Sequence, residues 1–157
     1  MAALVDTNIL VYRCDARFPQ KRDLARTLLS HGLENHLVCL PHQALVEFVS
    51  VTTRPRPDLP QGRSLLPRAE ALQQVEEMLD TFIVLYPTED VVRAAVRAAE
   101  LYQLNWFDAH LLAYAEVYGL ADIYSEDFQH QRYFGQIRAV NPFLPLDYVN
   151  EAIPYRE

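Results

Sequence analysis

The sequence begins Met1-Ala2-Ala3-Leu4-Val5-Asp6-Thr7-Asn8, and this stretch decides the fold. A short apolar run ends in a carboxylate, a hydroxyl and an amide. Because the run has no polar alternation, it is typical of a strand buried on both faces, as in a parallel sheet. Ligands of open α/β sheets bind beyond the carboxyl ends of the strands, so Asp6 is predicted to stand at the binding edge. Asp6 or Thr7 can equally be interpreted as the cap of the following helix.

Length and composition predict one globular domain. The chain has 157 residues, of which 50% are apolar and 22% are charged, and we expect a single domain over residues 1–144 followed by a C-terminal tail, residues 145–157. Two cysteines favour a reducing compartment, and no apolar run approaches the ~20 residues of a membrane span. We therefore expect a cytoplasmic protein with no membrane contact.

The net charge of −7 argues against a protein that coats nucleic acid through a broad basic surface. The negative net charge does not exclude an enzyme acting on nucleic acid, because cations held by grouped acids reverse the local charge. Nucleotide binding is disfavoured, since the chain's 4 glycines form no cluster that could cradle a pyrophosphate.

Apolar runs and helical periodicity alternate along the chain and predict an α/β fold, a three-layer α/β/α sandwich with a mainly parallel central sheet. Further strands are predicted at 37–40, 82–86, 121–125 and 137–140, and the longer helices at 21–31, 68–79, 88–102 and 106–118. Gly32 is predicted to end one helix, and Pro41 to open the next at its first turn. The helix at 106–118 is so apolar that burial on all sides is predicted.

Three more acids accompany Asp6. Glu47 lies in a predicted helix, Asp108 begins the most apolar helix, and Asp127 follows a strand. Right-handed crossovers place the ends of parallel strands on one side, so these acids can converge. Oxygen-only ligation would favour Mg²⁺ or Mn²⁺ over Zn²⁺. The alternatives are a solvent-facing stripe for Glu47 and a reciprocal cap between Asn105 and Asp108.

A proline-rich stretch from residue 53 to residue 67 predicts a long exposed connection. It carries the only basic cluster of the sequence, with Arg54, Arg56 and Arg63 followed by Arg68. Arg54, Arg56 and Arg63 are candidate RNA contacts through phosphates. The alternative is a loop whose charges serve solubility only.

Five short segments stand in a characteristic order across roughly residues 3 to 143. They are Leu4-Val5-Asp6-Thr7-Asn8, Glu47 after the second strand, Trp106-Phe107-Asp108-Ala109, Ser125-Glu126-Asp127-Phe128 and Asn141-Pro142-Phe143. In order and separation they resemble the PIN-domain ribonucleases and, within that family, the VapC-type toxins of bacterial toxin–antitoxin pairs. One departure is that residues 129–132 lack a glycine that often follows the fourth acid.

The resemblance implies a hydrolase that is an Mg²⁺- or Mn²⁺-dependent endoribonuclease, the toxin of a type II toxin–antitoxin system. It also implies an RNA substrate, a cognate antitoxin as partner and a homodimer. The implied metal ligands and catalytic residues are Asp6, Glu47, Asp108 and Asp127. By the same match, Asn8 and Ser125 would hydrogen-bond those acids or the attacking water.

Two alternatives stay open. Glu126 could replace or assist Asp127, although consecutive residues leaving a strand point in opposite directions. The chain could also be a non-catalytic PIN-like module that binds a protein partner and uses its acids to cap helices. Titrating Mn²⁺ against thermal stability separates these functions, because clustered acids gain stability with metal and scattered caps do not.

Overall fold

The computed structural model describes residues 2–145. Its strands are β1 (Ala3–Val5), β2 (Val38–Pro41), β3 (Ile83–Leu85), β4 (Asp122–Tyr124), β5 (Tyr133–Phe134) and β6 (Ile137–Val140). Its helices are α1 (Thr7–Tyr12), α2 (Pro19–Glu34), α3 (His42–Thr53), α4 (Arg68–Thr81), α5 (Glu89–Tyr102) and α6 (Trp106–Val117), with a 3₁₀ turn at Pro60–Gly62. The predicted tail lies outside the described residues except for Pro145, so its boundary stays a prediction.

The described strands form one sheet in the order β3-β2-β1-β4-β6-β5. All neighbours are parallel except β5 and β6, which form an antiparallel pair. The first strand is central, and Val5 is paired with Tyr124 of β4. The residues that follow these two, Asp6 and Ser125, therefore leave the sheet side by side.

Two apolar cores cover the two faces of the sheet. Leu4 and Ile123 belong to the core on the side of α5 and α6, where small residues such as Ala94 and Ala113 are fully buried. Val5 belongs to the opposite core, packed with residues of α1 to α4. Successive strand residues point to opposite faces, so the apolar run of β1 fills both cores. The predicted three-layer α/β/α fold is confirmed.

The role predicted for Gly32 is wrong. The helix α2 does not end there but continues to Glu34. A Cβ atom at Gly32 would lie 2.6 Å from Cγ1 of Val38. Glycine is therefore needed where the helix meets β2 at close range, and not as a stop signal. Pro41 likewise differs from the prediction, because it closes β2 and precedes α3, which begins at His42.

The prediction of complete burial for the last helix is also wrong. Residues such as Ala109 and Leu112 of α6 are buried, but Trp106 is 47% exposed and Phe107 is 63% exposed. The aromatic residues of its first turn are therefore largely exposed. The short strand β5 was not predicted, since two residues leave no detectable periodicity.

Across residues 2–145, none of the helices combines the length and the apolar character that crossing a lipid bilayer requires.

Candidate functional site

Asp6 stands directly after β1 and is almost completely buried, with 4% exposure. Its backbone N–H donates to the carbonyl of Tyr124 at 3.0 Å. Its Oδ1 accepts from the Thr7 N–H at 2.6 Å, which caps α1, and its Oδ2 accepts from the Ser125 hydroxyl at 2.7 Å. Burial raises the pKa of Asp6 from 3.8 to about 7 against the opposing effect of these hydrogen bonds, and the charges of Asp127 and Glu47 raise it further.

Asn8 and Ser125 connect Asp6 to Asp127. The Asn8 Nδ2 lies 3.3 Å from Oδ2 of Asp6 and 3.2 Å from Oδ2 of Asp127, and it donates toward both. The Ser125 Oγ accepts from the Asp127 N–H at 3.1 Å. Two carboxylates from neighbouring strands are therefore held near one amide nitrogen.

Glu47 approaches this pair from α3. Its Oε2 accepts from the Thr7 hydroxyl at 3.0 Å. Its Oε1 is buried and has no hydrogen-bond partner within the described residues. The stripe that contains Glu47 therefore faces the start of α1 at this position, and not solvent.

Asp108 forms the predicted reciprocal cap at the start of α6. Its N–H donates to Asn105 Oδ1 at 2.9 Å, and the Asn105 amide donates to Asp108 Oδ2 at 2.7 Å. Partial burial raises the pKa of Asp108, the hydrogen bond from Asn105 opposes this effect, and the charges of Asp127 and Glu47 raise the pKa further. Asp108 is thus both a helix cap and an electrostatic neighbour of the other acids.

Two cavities, of about 510 and 520 Å³, meet at these acids. Both are lined by Asp6, Glu47 and Asp127. One extends toward Asp108 and the exposed Phe107, and the other toward α1. We refer to this pair of cavities as the acid groove.

The donor set of the acid groove fits a hard divalent cation in its chemistry. All four predicted ligands are carboxylates, and the orphaned Oε1 of Glu47 offers an acceptor without a partner in the described part. Within residues 2–145, no group of three or more His, Cys, Asp or Glu side chains is already arranged around a metal position.

Glu126 lines the α1-side cavity of the acid groove, but its carboxylate oxygens are bound by residues of α1 and α2. Its Oε1 accepts from the Tyr12 hydroxyl at 2.7 Å, and its Oε2 lies 2.8 Å from the Lys21 Nζ. The structure thus brings Asp127, rather than Glu126, to Asn8 and Asp6.

The arginines of the proline-rich loop separate into three positions. Arg54 lines the cavity that holds Asp108, and Arg56 lines the cavity on the α1 side. Arg63 donates to Gln61 at 3.1 Å on the exposed part of the loop and lines neither cavity.

Sequence reasoning missed two contributors to the site. Thr7 is buried and bonds Glu47, a role signalled only by its position between Asp6 and Asn8. Lys21 holds Glu126, and its one signal was that it is the only lysine of the chain.

Comparison with known proteins agrees with this architecture. A family model described as PIN domain matches residues 3–134. A toxin–antitoxin complex from Klebsiella pneumoniae has a TM-score of 0.61 at 19% identity, covering 90% of this chain and 98% of that chain. VapBC2 from Rickettsia felis, bound to a promoter DNA fragment, has a TM-score of 0.63 at 12% identity, covering 88% of this chain and 97% of that chain. VapC20 from Mycobacterium tuberculosis, a sarcin–ricin loop cleaving toxin, has a TM-score of 0.58 at 18% identity, covering 80% of this chain and 90% of that chain.

No curated protein sequence matches the chain. The likeness to the solved structures shows a common fold, and the family match contains the acids of the groove, Asp6, Glu47, Asp108 and Asp127. The resemblance predicted from the five sequence segments is confirmed at the level of the family. The chain belongs to the PIN domain family.

Proposed function

We propose that this chain is an endoribonuclease that hydrolyses RNA phosphodiester bonds with Mg²⁺ or Mn²⁺, and that it is the toxin of a type II toxin–antitoxin pair. The observation that carries the proposal is the convergence of acids from four separate segments on one groove. Family membership and a fold shared with toxins of toxin–antitoxin pairs support it.

Asp6, Glu47, Asp108 and Asp127 would hold the cation. Two carboxylates about 6 Å apart repel by about 3 kcal/mol at an effective dielectric near 20. A divalent cation between them attracts both carboxylates, and this attraction outweighs their repulsion. When bound, one or two such ions orient a water, lower its pKa and neutralise charge on the leaving oxygen.

The neighbouring residues would orient these acids. Asn8 and Ser125 hold the Oδ2 atoms of Asp6 and Asp127, so both carboxylates keep one orientation as substrate enters. Thr7 donates to Oε2 of Glu47, and Oε1 has no hydrogen-bond partner among residues 2–145. This oxygen would accept a proton from the attacking water or serve as a further ligand of the cation.

The RNA would cross both cavities with its phosphates near the loop arginines. Arg54 and Arg56 flank the acids from opposite cavities, whereas Arg63 faces the loop. We expect Arg54→Ala and Arg56→Ala to slow cleavage, and the matched Arg63→Ala to leave it near the wild-type rate. Equal effects of all three would indicate a general charge effect instead of local contacts.

The proposed protein partners are a second copy of the chain and a cognate antitoxin. The exposed apolar rim of the groove, formed by Val46 and Phe107, supports this part of the proposal. One structure of similar fold is a toxin–antitoxin complex, and another is VapBC2 bound to a promoter DNA fragment. Light scattering with size-exclusion chromatography tests the dimer, and a Phe107→Ser variant is expected to weaken association.

The decisive experiment measures cleavage of a fluorescent single-stranded RNA by protein prepared free of host nucleases. Wild type should cleave with Mn²⁺ and stop with EDTA, and Asp6→Asn should be inactive. Asp80→Asn, at an exposed position of α4, is the control for loss of a carboxylate. Equal cleavage by Asp6→Asn would refute the proposal. A wild type that neither cleaves nor gains stability with Mn²⁺ would instead support the non-catalytic binding module.

A further inference from the structure

Lys21, the only lysine of the chain, lies in a cluster of aromatic rings beside the acid groove. Its Nζ is 4.6 Å from the ring centre of Tyr12, 5.4 Å from that of Phe143 and 6.0 Å from that of Phe18. It also lies 3.2 Å from the Tyr12 hydroxyl and forms an ion pair with Glu126 at 2.8 Å. The amine is therefore held from several directions.

The rings around Lys21 also pack on one another. Tyr12 makes edge-to-face contacts with Phe18 at 5.7 Å and with Phe143 at 5.0 Å between ring centres. The Phe143 N–H donates to Asn141 Oδ1 at 3.0 Å, which fixes the approach of this ring. The Asn141-Pro142-Phe143 segment, which has no part in the acid groove, thus completes the surroundings of Lys21.

This cluster fixes Glu126, the residue before Asp127. Lys21 donates a hydrogen bond to one carboxylate oxygen of Glu126, and the Tyr12 hydroxyl donates to the other. The side chains of the ion pair are 37% and 24% exposed, and the hydrogen bond to Glu126 raises the pKa of Lys21 above its ordinary value. An ion pair that shares hydrogen bonds with a third group restrains geometry more strongly than an isolated pair.

We propose that Lys21, Tyr12 and Glu126 form a clamp that positions Asp127 in the acid groove. Glu126 is held toward α1 and α2, so the chain presents Asp127 toward Asn8. Lys21 is then a positioning residue for cation binding and touches neither the cation nor the RNA. This inference rests on the proposed function, because it concerns the same groove.

The sign of the effect on Mn²⁺ affinity distinguishes positioning from simple electrostatics. Removing the positive charge of Lys21 would by Coulomb's law favour a nearby cation and tighten Mn²⁺ binding. Loss of the clamp weakens binding instead, because Asp127 and the competing Glu126 become free to rotate. Partners that orient metal ligands typically contribute about 10- to 100-fold in affinity.

The experiment is calorimetric titration of the full chain with Mn²⁺ in the absence of RNA. We expect Lys21→Met to weaken Mn²⁺ binding by about tenfold, and Lys21→Arg to recover most of the affinity. The matched control is Arg138→Met, which removes the ion pair of Arg138 with Asp122 at the opposite end of β4. Those side chains are 39% and 26% exposed, so the control disrupts a pair of similar burial.

The possible outcomes separate the two proposals. Unchanged or tighter Mn²⁺ binding by Lys21→Met, with normal binding by the wild type, would overturn the clamp alone. Equal weakening by Arg138→Met would also overturn it, since the effect would then follow from general destabilisation. A wild type that binds no Mn²⁺ would overturn the proposed function and the clamp together. If Lys21→Met fails to fold by circular dichroism, Tyr12→Phe takes its place, because it removes one hydroxyl and keeps the ring.

Discussion

Replacing Asp6 with asparagine should stabilise the metal-free protein above pH 7 and leave its stability near pH 4 almost unchanged. Asp6 is 4% exposed, and burial raises its pKa from 3.8 to about 7. A carboxyl group with a raised pKa in the folded state binds its proton more tightly there than in the unfolded chain. Its contribution to stability is therefore complete below pH 4 and is lost as the pH rises through 7.

The magnitude follows from the two pKa values. They differ by about three pKa units, and each unit corresponds to about 1.4 kcal/mol, so the upper limit is about 4 kcal/mol between pH 4 and pH 8. Water entering the groove and relaxation of its walls reduce the cost of the buried charge. We expect the free energy of unfolding of Asp6→Asn, relative to wild type, to rise by about 2 kcal/mol across this range.

The assay is urea unfolding followed by circular dichroism in EDTA, at pH 4 and pH 8 and at one protein concentration. The difference between variant and wild type isolates Asp6 from the other titrating groups. Asp80→Asn serves as the control, because its side chain is exposed on α4 and should show no such pH dependence. A constant difference between Asp6→Asn and wild type at both pH values would refute the reasoning.

Three further predictions concern separate parts of the chain. At a Mn²⁺ concentration about 100 times the wild-type dissociation constant, the wild type should be stabilised by about 2.7 kcal/mol. If Glu47→Gln binds Mn²⁺ about tenfold more weakly, it would gain only about 1.4 kcal/mol, and an equal gain by both proteins in thermal melts would contradict ligation by Glu47. Gly32→Ala should cost about 1 to 3 kcal/mol in urea unfolding, because the new methyl would lie 2.6 Å from Val38 Cγ1; a gain would contradict this close approach. Thr88→Ala should cost about 1 kcal/mol by removing the hydroxyl that accepts from the Val91 N–H at 3.3 Å, whereas Thr88→Ser should keep it.

Much of the fold was predictable because its signals are local. The apolar run before Asp6 predicts a buried parallel strand, and β1 is one of the two central strands of the sheet. Thr88 and Asn105 were predicted to begin helices, and both cap the helices that follow. These features depend on residues within one or two turns of each other, so a single stretch of sequence contains them.

Contacts between distant segments were not predictable from local pattern. Gly32 resembled a helix stop in sequence, but its role depends on the distance between α2 and Val38. The outward position of Phe107 depends on where the core ends, although its neighbours in sequence are apolar. Periodicity shows which face of a helix is apolar, but it does not show how much of that face is covered by the elements packed against it.

By itself the sequence determined the family, the alternation of strands and helices, and the acids that belong at strand ends. Only the tertiary structure decided that Glu47 faces Thr7 across 40 residues of chain, and that Lys21 holds Glu126 across 105 residues. The physical reason is that side-chain direction at a strand end or helix surface is settled by packing partners. Those partners are brought together by the folded chain and are absent from any local window of sequence.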